Sequence, residues 1–169
     1  NRKNVLFIGR LEHQKNIPLL IQVIEHSSYN FTIVGDGKLH KFIKEKFTKN
    51  NRVTIIKKIK HTEIGHLMSK HLILINTSFF EGQPKILLEG LASGLILICS
   101  DVEGNKQIIK NNTNGFLIKN NFSEYVNKID DIHNNKNNYK NISLNGKICI
   151  NDEYNLESIL KKEIVFLDI

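Results

Sequence analysis

The stretch that decides the fold is Asn76-Thr77-Ser78-Phe79-Phe80-Glu81-Gly82-Gln83-Pro84-Lys85-Ile86-Leu87-Leu88-Glu89-Gly90. The apolar run Leu72 to Ile75 before it predicts a buried strand, and Ile86, Leu87 and Leu91 after it recur at helical spacing. Between them lie Gly82, free to take any backbone angle, and Pro84, pre-set for a first helical turn. A strand, a turn and a helix start aim unpaired backbone N–H groups and the positive end of the helix dipole at one place, which suits an anionic ligand. The helix start runs through Gly82, Gln83, Pro84, Lys85 and Ile86. Glu81 is expected at the mouth and Glu89 about two helical turns deeper. Both would repel a phosphate, so they are expected to face hydroxyls.

Outward from this centre the chain alternates. Apolar strands are predicted at Val5 to Ile8, Phe31 to Val34, Val53 to Ile56, Leu72 to Ile75, Leu95 to Cys99 and Gly115 to Ile118. Helices are predicted between them, at about Ile17 to His26, Lys38 to Phe47 and Thr62 to Ser69, then the central one, then a short one within Val102 to Lys110. Leu39, Phe42, Ile43 and Phe47 should share one face of theirs. From Ser123 onward the pattern is helical, ending in a helix from Leu156 to Leu167, with the Asn/Lys-rich His133 to Asn141 read as an exposed loop. Short buried strands separated by helices of about ten residues mean βαβ units: an α/β, Rossmann-like, three-layer domain around a parallel sheet of about six strands.

In such sheets ligands bind beyond the C-terminal strand ends. After the first strand, Gly9 lets the backbone turn, while Arg10 offers a planar fork and Lys15 a mobile point charge to a shared anion. After the second, Gly35-Asp36-Gly37 reads as a tight turn with Asp36 as a helix N-cap.

At 169 residues, 40% hydrophobic and 24% charged, the chain is one ordinary globular domain, large enough to bury roughly 70% of its unfolded surface. The net charge of +7 rests on 21 Lys and only 3 Arg, beside 22 Asn and 26 Ile. That surplus is what an AT-rich genome produces through its codons, so it is a weak argument for nucleic acid. Cys99 and Cys149 read as reduced core residues of a cytoplasmic protein. No apolar run approaches the ~18 residues of a membrane helix. His61, His66 and His71, evenly spaced by five, fall on different helix faces, and no Cys pair stands at metal spacing, so no metal site is expected. A Gly-x-Ser-x-Gly elbow, a P-loop and a Gly-x-Gly-x-x-Gly after the first strand are all lacking. The chain starts without Met and enters a strand almost at once, as a piece of something longer would.

The frame Phe80-Glu81-Gly82-x-Pro84-x-x-Leu87-Leu88-Glu89, with its Glu-x7-Glu pair, resembles the nucleotide-sugar-binding signature of family 4 retaining glycosyltransferases, which have the GT-B fold. Gly9-Arg10-Leu11-x-x-x-Lys15 resembles the same family's diphosphate-holding segment. Gly35-Asp36-Gly37, Ser100 to Asn105 and Asn114-Gly115-Phe116-Leu117 also match, and the resemblance covers about residues 4 to 120. Lys57 stands where relatives carry a Gly beside the base, Gln107 where a Glu is usual, and Ile96 where Pro is common.

The resemblance implies transfer of a sugar, with retention, from a UDP- or GDP-sugar to an acceptor hydroxyl, with no resident cofactor. Glu81, Arg10 and Lys15 would be the catalytic groups. Gly9, Arg10, Lys15, Glu81, Gly82, Gln83, Pro84, Lys85, Ile86 and Glu89 would hold the donor, Glu89 taking the ribose. It also implies that this is the C-terminal half of a GT-B pair whose N-terminal half brings a saccharide or lipid-linked acceptor. The setting would be bacterial surface polysaccharide or glycolipid synthesis at the inner face of the plasma membrane. The last predicted helix would pack against the other half. A sugar-nucleotide epimerase of the same fold and a Lys-rich binding module are the alternatives.

Overall fold

The computed structural model describes residues 4–154. Six strands form one sheet: β1 (Asn4–Ile8), β2 (Asn30–Val34), β3 (Val53–Ile56), β4 (Ile73–Asn76), β5 (Ile96–Ser100) and β6 (Phe116–Ile118). All neighbours run parallel, in the order β3-β2-β1-β4-β5-β6. The helices are α1 (Ile17–His26), α2 (His40–Lys46), α3 (His61–Ser69), α4 (Lys85–Ala92), α5 (Glu103–Lys106), α6 (Phe122–Asn134) and α7 (Lys140–Glu153), with short 3-10 turns at His13–Lys15 and Lys136–Tyr139.

Strand side chains alternate between two cores, which makes three layers. Val5, Phe7, Ile73, Ile75, Ile96 and Ile98 meet Leu20 and Ile24 of α1, Ile43 of α2 and Tyr125, Ile129 and Ile132 of α6. Leu6, Leu74, Leu97 and Cys99 meet Met68 of α3 and Leu87 and Leu91 of α4. Strands buried on both faces need apolar residues at every position, so their sequences read as continuous runs rather than alternations.

The strand order reverses between β1 and β4, whose register pairs Val5 with Ile73 and Leu6 with Leu74. In parallel sheets of this kind the ligand crevice lies beyond the strand ends at such a reversal. Caps help place the elements: Asn16, in the left-handed conformation at φ 46°, accepts from Leu19 N–H at the start of α1, and Asn121 accepts from Ser123 N–H at the start of α6.

Several expectations need correction. The stretch from His133 to Asn141 is the end of α6, a 3-10 turn and the start of α7 rather than an open loop. Tyr139 anchors it by donating to Asp131 and packing edge-on against Phe116. Phe42 is exposed, because α2 is a short helix whose contact with the sheet is met by Ile43, with Phe47 just beyond its end. Asp36 does not cap α2, which begins at His40. Its carboxylate accepts from Gly37 N–H at 2.9 Å inside the turn. The expected helix from Leu156 to Leu167 lies outside the described residues.

Candidate functional site

The loops after β1 and β4 are stitched together across the crevice. Phe79 N–H donates to Gln14 carbonyl at 2.9 Å, Thr77 Oγ1 to Lys15 carbonyl at 2.7 Å, and Gln14 Nε2 to Phe80 carbonyl at 3.1 Å. His13 stacks on Phe79 with ring centroids 5.1 Å apart. These bonds bring Lys15 against Glu81, although 66 residues separate them.

The Lys15 ammonium and the Glu81 carboxylate form a buried ion pair, with side-chain exposures of 12% and 6%. Lys15 donates to Glu81 Oε1, which also accepts from Ser78 Oγ at 2.5 Å and Asn76 Nδ2 at 3.0 Å. Oε2 accepts from Gln14 Nε2 at 3.5 Å, a long contact beside those to Oε1. Burial pushes the Glu81 carboxyl up, but the bonds from Lys15, Ser78 and Asn76 outweigh it and hold the group below its usual value. Glu81 is thus a fixed, ionised carboxylate whose Oε1 takes three donors while Oε2 has one long contact from Gln14.

Arg10 is exposed at the rim and donates to Gln14 Oε1 at 3.2 Å, and Gln14 in turn binds the Phe80 carbonyl and makes the long contact to Glu81. Gly9 is explained by space rather than by its backbone angle: a Cβ there would stand 3.2 Å from Lys15 Cε. Gly35 is stricter, since its Cβ would fall 1.9 Å from the Gly9 carbonyl oxygen. Gly82 adopts no left-handed angle, and a Cβ on it would meet open space.

Helix α4 begins at Lys85, with Pro84 one place earlier than expected, in the capping position. No side chain caps this end. Gln83 and Lys85 are exposed and Ile86 is half-buried beside it. The depth order expected for the two carboxylates is reversed. Glu81 is sealed under the loop, whereas the Glu89 side chain is 33% exposed and pairs with the exposed His61, at 3.4 Å. The reason is that Glu81 turns inward to reach Asn76 and Ser78 at the end of β4, while Glu89 lies on the face of α4 toward the start of α3.

Beyond β2 and β3, Lys57 approaches Asp36 at 3.6 Å, both side chains largely exposed. His71 is buried, bonded to Leu67 carbonyl and Thr32 Oγ1. Sequence reasoning passed over Gln14, Asn76 and Asn105. Asn76 carried a readable signal, a polar residue continuing an apolar strand, but its partners come from distant segments. Among the described residues no three His, Cys, Asp or Glu side chains gather as a metal site would require, and no helix is long and apolar enough to cross a membrane.

Residues 1–148 match the family model described as glycosyl transferases group 1. The chain belongs to this family. An uncharacterized glycosyltransferase of Methanocaldococcus jannaschii is 33% identical over 145 residues, 84% of this chain and 41% of its own length. An alpha-1,4-N-acetyl-D-galactosaminyltransferase of Campylobacter jejuni, named for a GalNAc–GalNAc–diNAcBac-PP-undecaprenol acceptor, is 34% identical over 122 residues, 68% of this chain and 33% of its own. The crystal structure of a mutant of S. aureus TarM with fondaparinux, alpha-GlcNAc-glycerol and UDP superposes with a TM-score of 0.85 at 26% identity, covering 96% of this chain and 35% of that one. The fold is that of GT-B glycosyltransferases. The glycosyl transferases group 1 chain thus spans less than half the length of the curated relatives it matches.

Proposed function

We propose that this domain is the C-terminal, donor-binding half of a family 4 retaining glycosyltransferase, and that it holds a nucleoside-diphosphate sugar for transfer to a saccharide or lipid-linked acceptor. The acceptor would come from an N-terminal domain, in the synthesis of a bacterial surface glycan at the cytoplasmic face of the membrane. The observation that carries this reading is the Lys15–Glu81 pair at the strand-order reversal, beside Arg10 and the uncapped start of α4. The C. jejuni relative and the UDP-bound TarM structure support it.

In this reading the bond between the sugar anomeric carbon and the β-phosphate oxygen breaks, and its electron pair leaves with the diphosphate. Arg10, Lys15 and the N–H groups of Gly82, Gln83, Lys85 and Ile86 stabilise the charge that grows there. A diphosphate reaching Lys15 shares the ammonium with Glu81, so donor binding loosens that pair and frees the carboxylate for sugar hydroxyls. Glu81 Oε2, held by the long Gln14 contact alone among the bonds above, is the oxygen left to accept them. Glu89, accessible on α4, accepts from the ribose. The acceptor oxygen bonds the anomeric carbon and gives its proton to the departing diphosphate. Retention places that oxygen on the face the phosphate leaves.

The test is metal-free calorimetric titration with UDP, GDP and ADP. One diphosphate should bind selectively, and Arg10→Ala and Glu89→Ala should each weaken it at least tenfold, ~1.4 kcal/mol. Absence of binding to the full-length enzyme would reject the reading. The 169-residue chain alone should bind nucleotide yet show no turnover in a radiolabelled transfer assay.

A further inference from the structure

Glu81 is held from beneath by a buried polar network that runs through three elements. Asn76, the last residue of β4, gives its Nδ2–H to Glu81 Oε1 at 3.0 Å. Its Oδ1 accepts from Ser78 N–H at 3.1 Å, Ser100 Oγ at 3.2 Å and Asn105 Nδ2 at 3.2 Å. A backbone N–H and an amide NH2 can only donate, so the Asn76 oxygen must face them and its NH2 must face Glu81. The amide orientation is therefore dictated by its neighbours.

The partners are fixed in turn. Asn105 also donates to Ser100 carbonyl at 2.8 Å, and Tyr125 OH donates to Asn76 carbonyl at 2.9 Å. Ser100 and Asn105 have no exposed surface, and Asn76 has 5%. The helix that carries Asn105 touches the Glu81 segment directly as well. A Cβ on Gly104 would fall 2.3 Å from the Glu81 carbonyl oxygen.

We propose that Asn76, locked by Ser100 and Asn105, is a positioning residue that saturates Glu81 Oε1 and so presents Oε2 to the donor sugar. This rests on the reading of Glu81 as the carboxylate that faces sugar hydroxyls. Lys15 cannot do this alone. Its flexible stem follows the diphosphate, whereas Asn76 belongs to the central sheet and stays in place. The network thus keeps the carboxylate aimed while the ammonium is shared.

Two readouts test it, on Asn76→Leu and on the milder Ser100→Ala, which removes one small donor. The first is the pH midpoint of the Glu81 carboxyl, followed by carbon-13 NMR. It should rise in Asn76→Leu, which deletes a donor to the ionised form. An unchanged midpoint overturns the proposal. The second compares affinity for UDP and GDP with that for UDP-glucose, UDP-N-acetylglucosamine and GDP-mannose. Asn76→Leu should leave the bare diphosphate within about twofold while weakening the conjugate it binds at least tenfold, and Ser100→Ala should shift the same ratio in the same direction by less. If both variants lose melting temperature but keep the ratio, the network is structural only and the proposal fails. If the wild type binds none of these probes, the donor-site reading fails and takes the sugar-facing role with it, while the NMR midpoint still decides whether Asn76 holds Glu81.

Discussion

Lys15→Met isolates the ion pair at the centre of the site. Methionine fills the aliphatic part of the lysine stem and removes the charge, leaving the Glu81 carboxylate 6% exposed without its cation. Stripping one partner from a buried pair costs about 3–5 kcal/mol. Asn76 and Ser78 still donate to the same oxygen, so the lower end applies, about 3 kcal/mol. For a chain of this length each kcal/mol moves the midpoint by about 2–4 °C, so melting near pH 7 should fall by about 6–12 °C. The pH dependence has a definite sign. In the wild type the folded carboxyl lies below its unfolded value of 4.5, so its contribution is complete above pH 4.5 and fades as pH falls through the folded midpoint. In the variant, burial without Lys15 moves the folded midpoint upward, and protonation relieves the unpaired charge. The gap between the two melting curves should therefore narrow from pH 7 to pH 4. Calorimetric scans of both proteins and of Lys15→Met/Glu81→Gln measure it, the double variant recovering part of the loss. A drop below about 2 °C, an equal gap at both pH values, or simple additivity would refute the buried-pair argument.

Gly35→Ala drives a Cβ to 1.9 Å from the Gly9 carbonyl oxygen, and since backbone must move it should lose about 3 kcal/mol in urea titration. Gly82→Ala, which meets open space, should stay within about 0.5 kcal/mol of the wild type. His71 is held neutral by burial, its midpoint below the ordinary 6.5. The unfolded chain then takes up its proton first, so stability should decline as pH falls below 6.5, and His71→Gln should flatten that slope in equilibrium unfolding. Tyr125→Phe should cost about 1 kcal/mol by chemical denaturation, through loss of its bond to Asn76 carbonyl.

The six strands and the α/β class were legible in the sequence, because the central strands β4 and β5, buried at every position, must be nearly all apolar, the outer ones are still short β-branched runs, and helices between such strands force parallel crossovers. Helix α1 was placed at about Ile17 to His26 for the same kind of reason, since its apolar spacing is local, and the structure adds the Asn16 cap at its start. The family was equally legible from the glycines, basic residues and carboxylates just past β1 and β4. Those signals are short-range, and they survive without knowledge of what packs where.

What only the tertiary structure decided was how the side chains at the crevice face one another. The sequence placed Glu81 at the mouth, yet its carboxylate turns inward because Asn76, Ser78 and Lys15 all offer donors there. Gly9 and Gly35 looked like turn residues, yet the packing of the β1 and β2 loops leaves no room for a side chain at Gly35 and little at Gly9. Asn105 lay within a predicted short helix with nothing local to mark its role, yet it supports Asn76, 29 residues away. Local spacing encodes which face of an element is apolar. The partner of a buried polar group depends on which strands lie side by side, and that is settled only when the order β3-β2-β1-β4-β5-β6 closes.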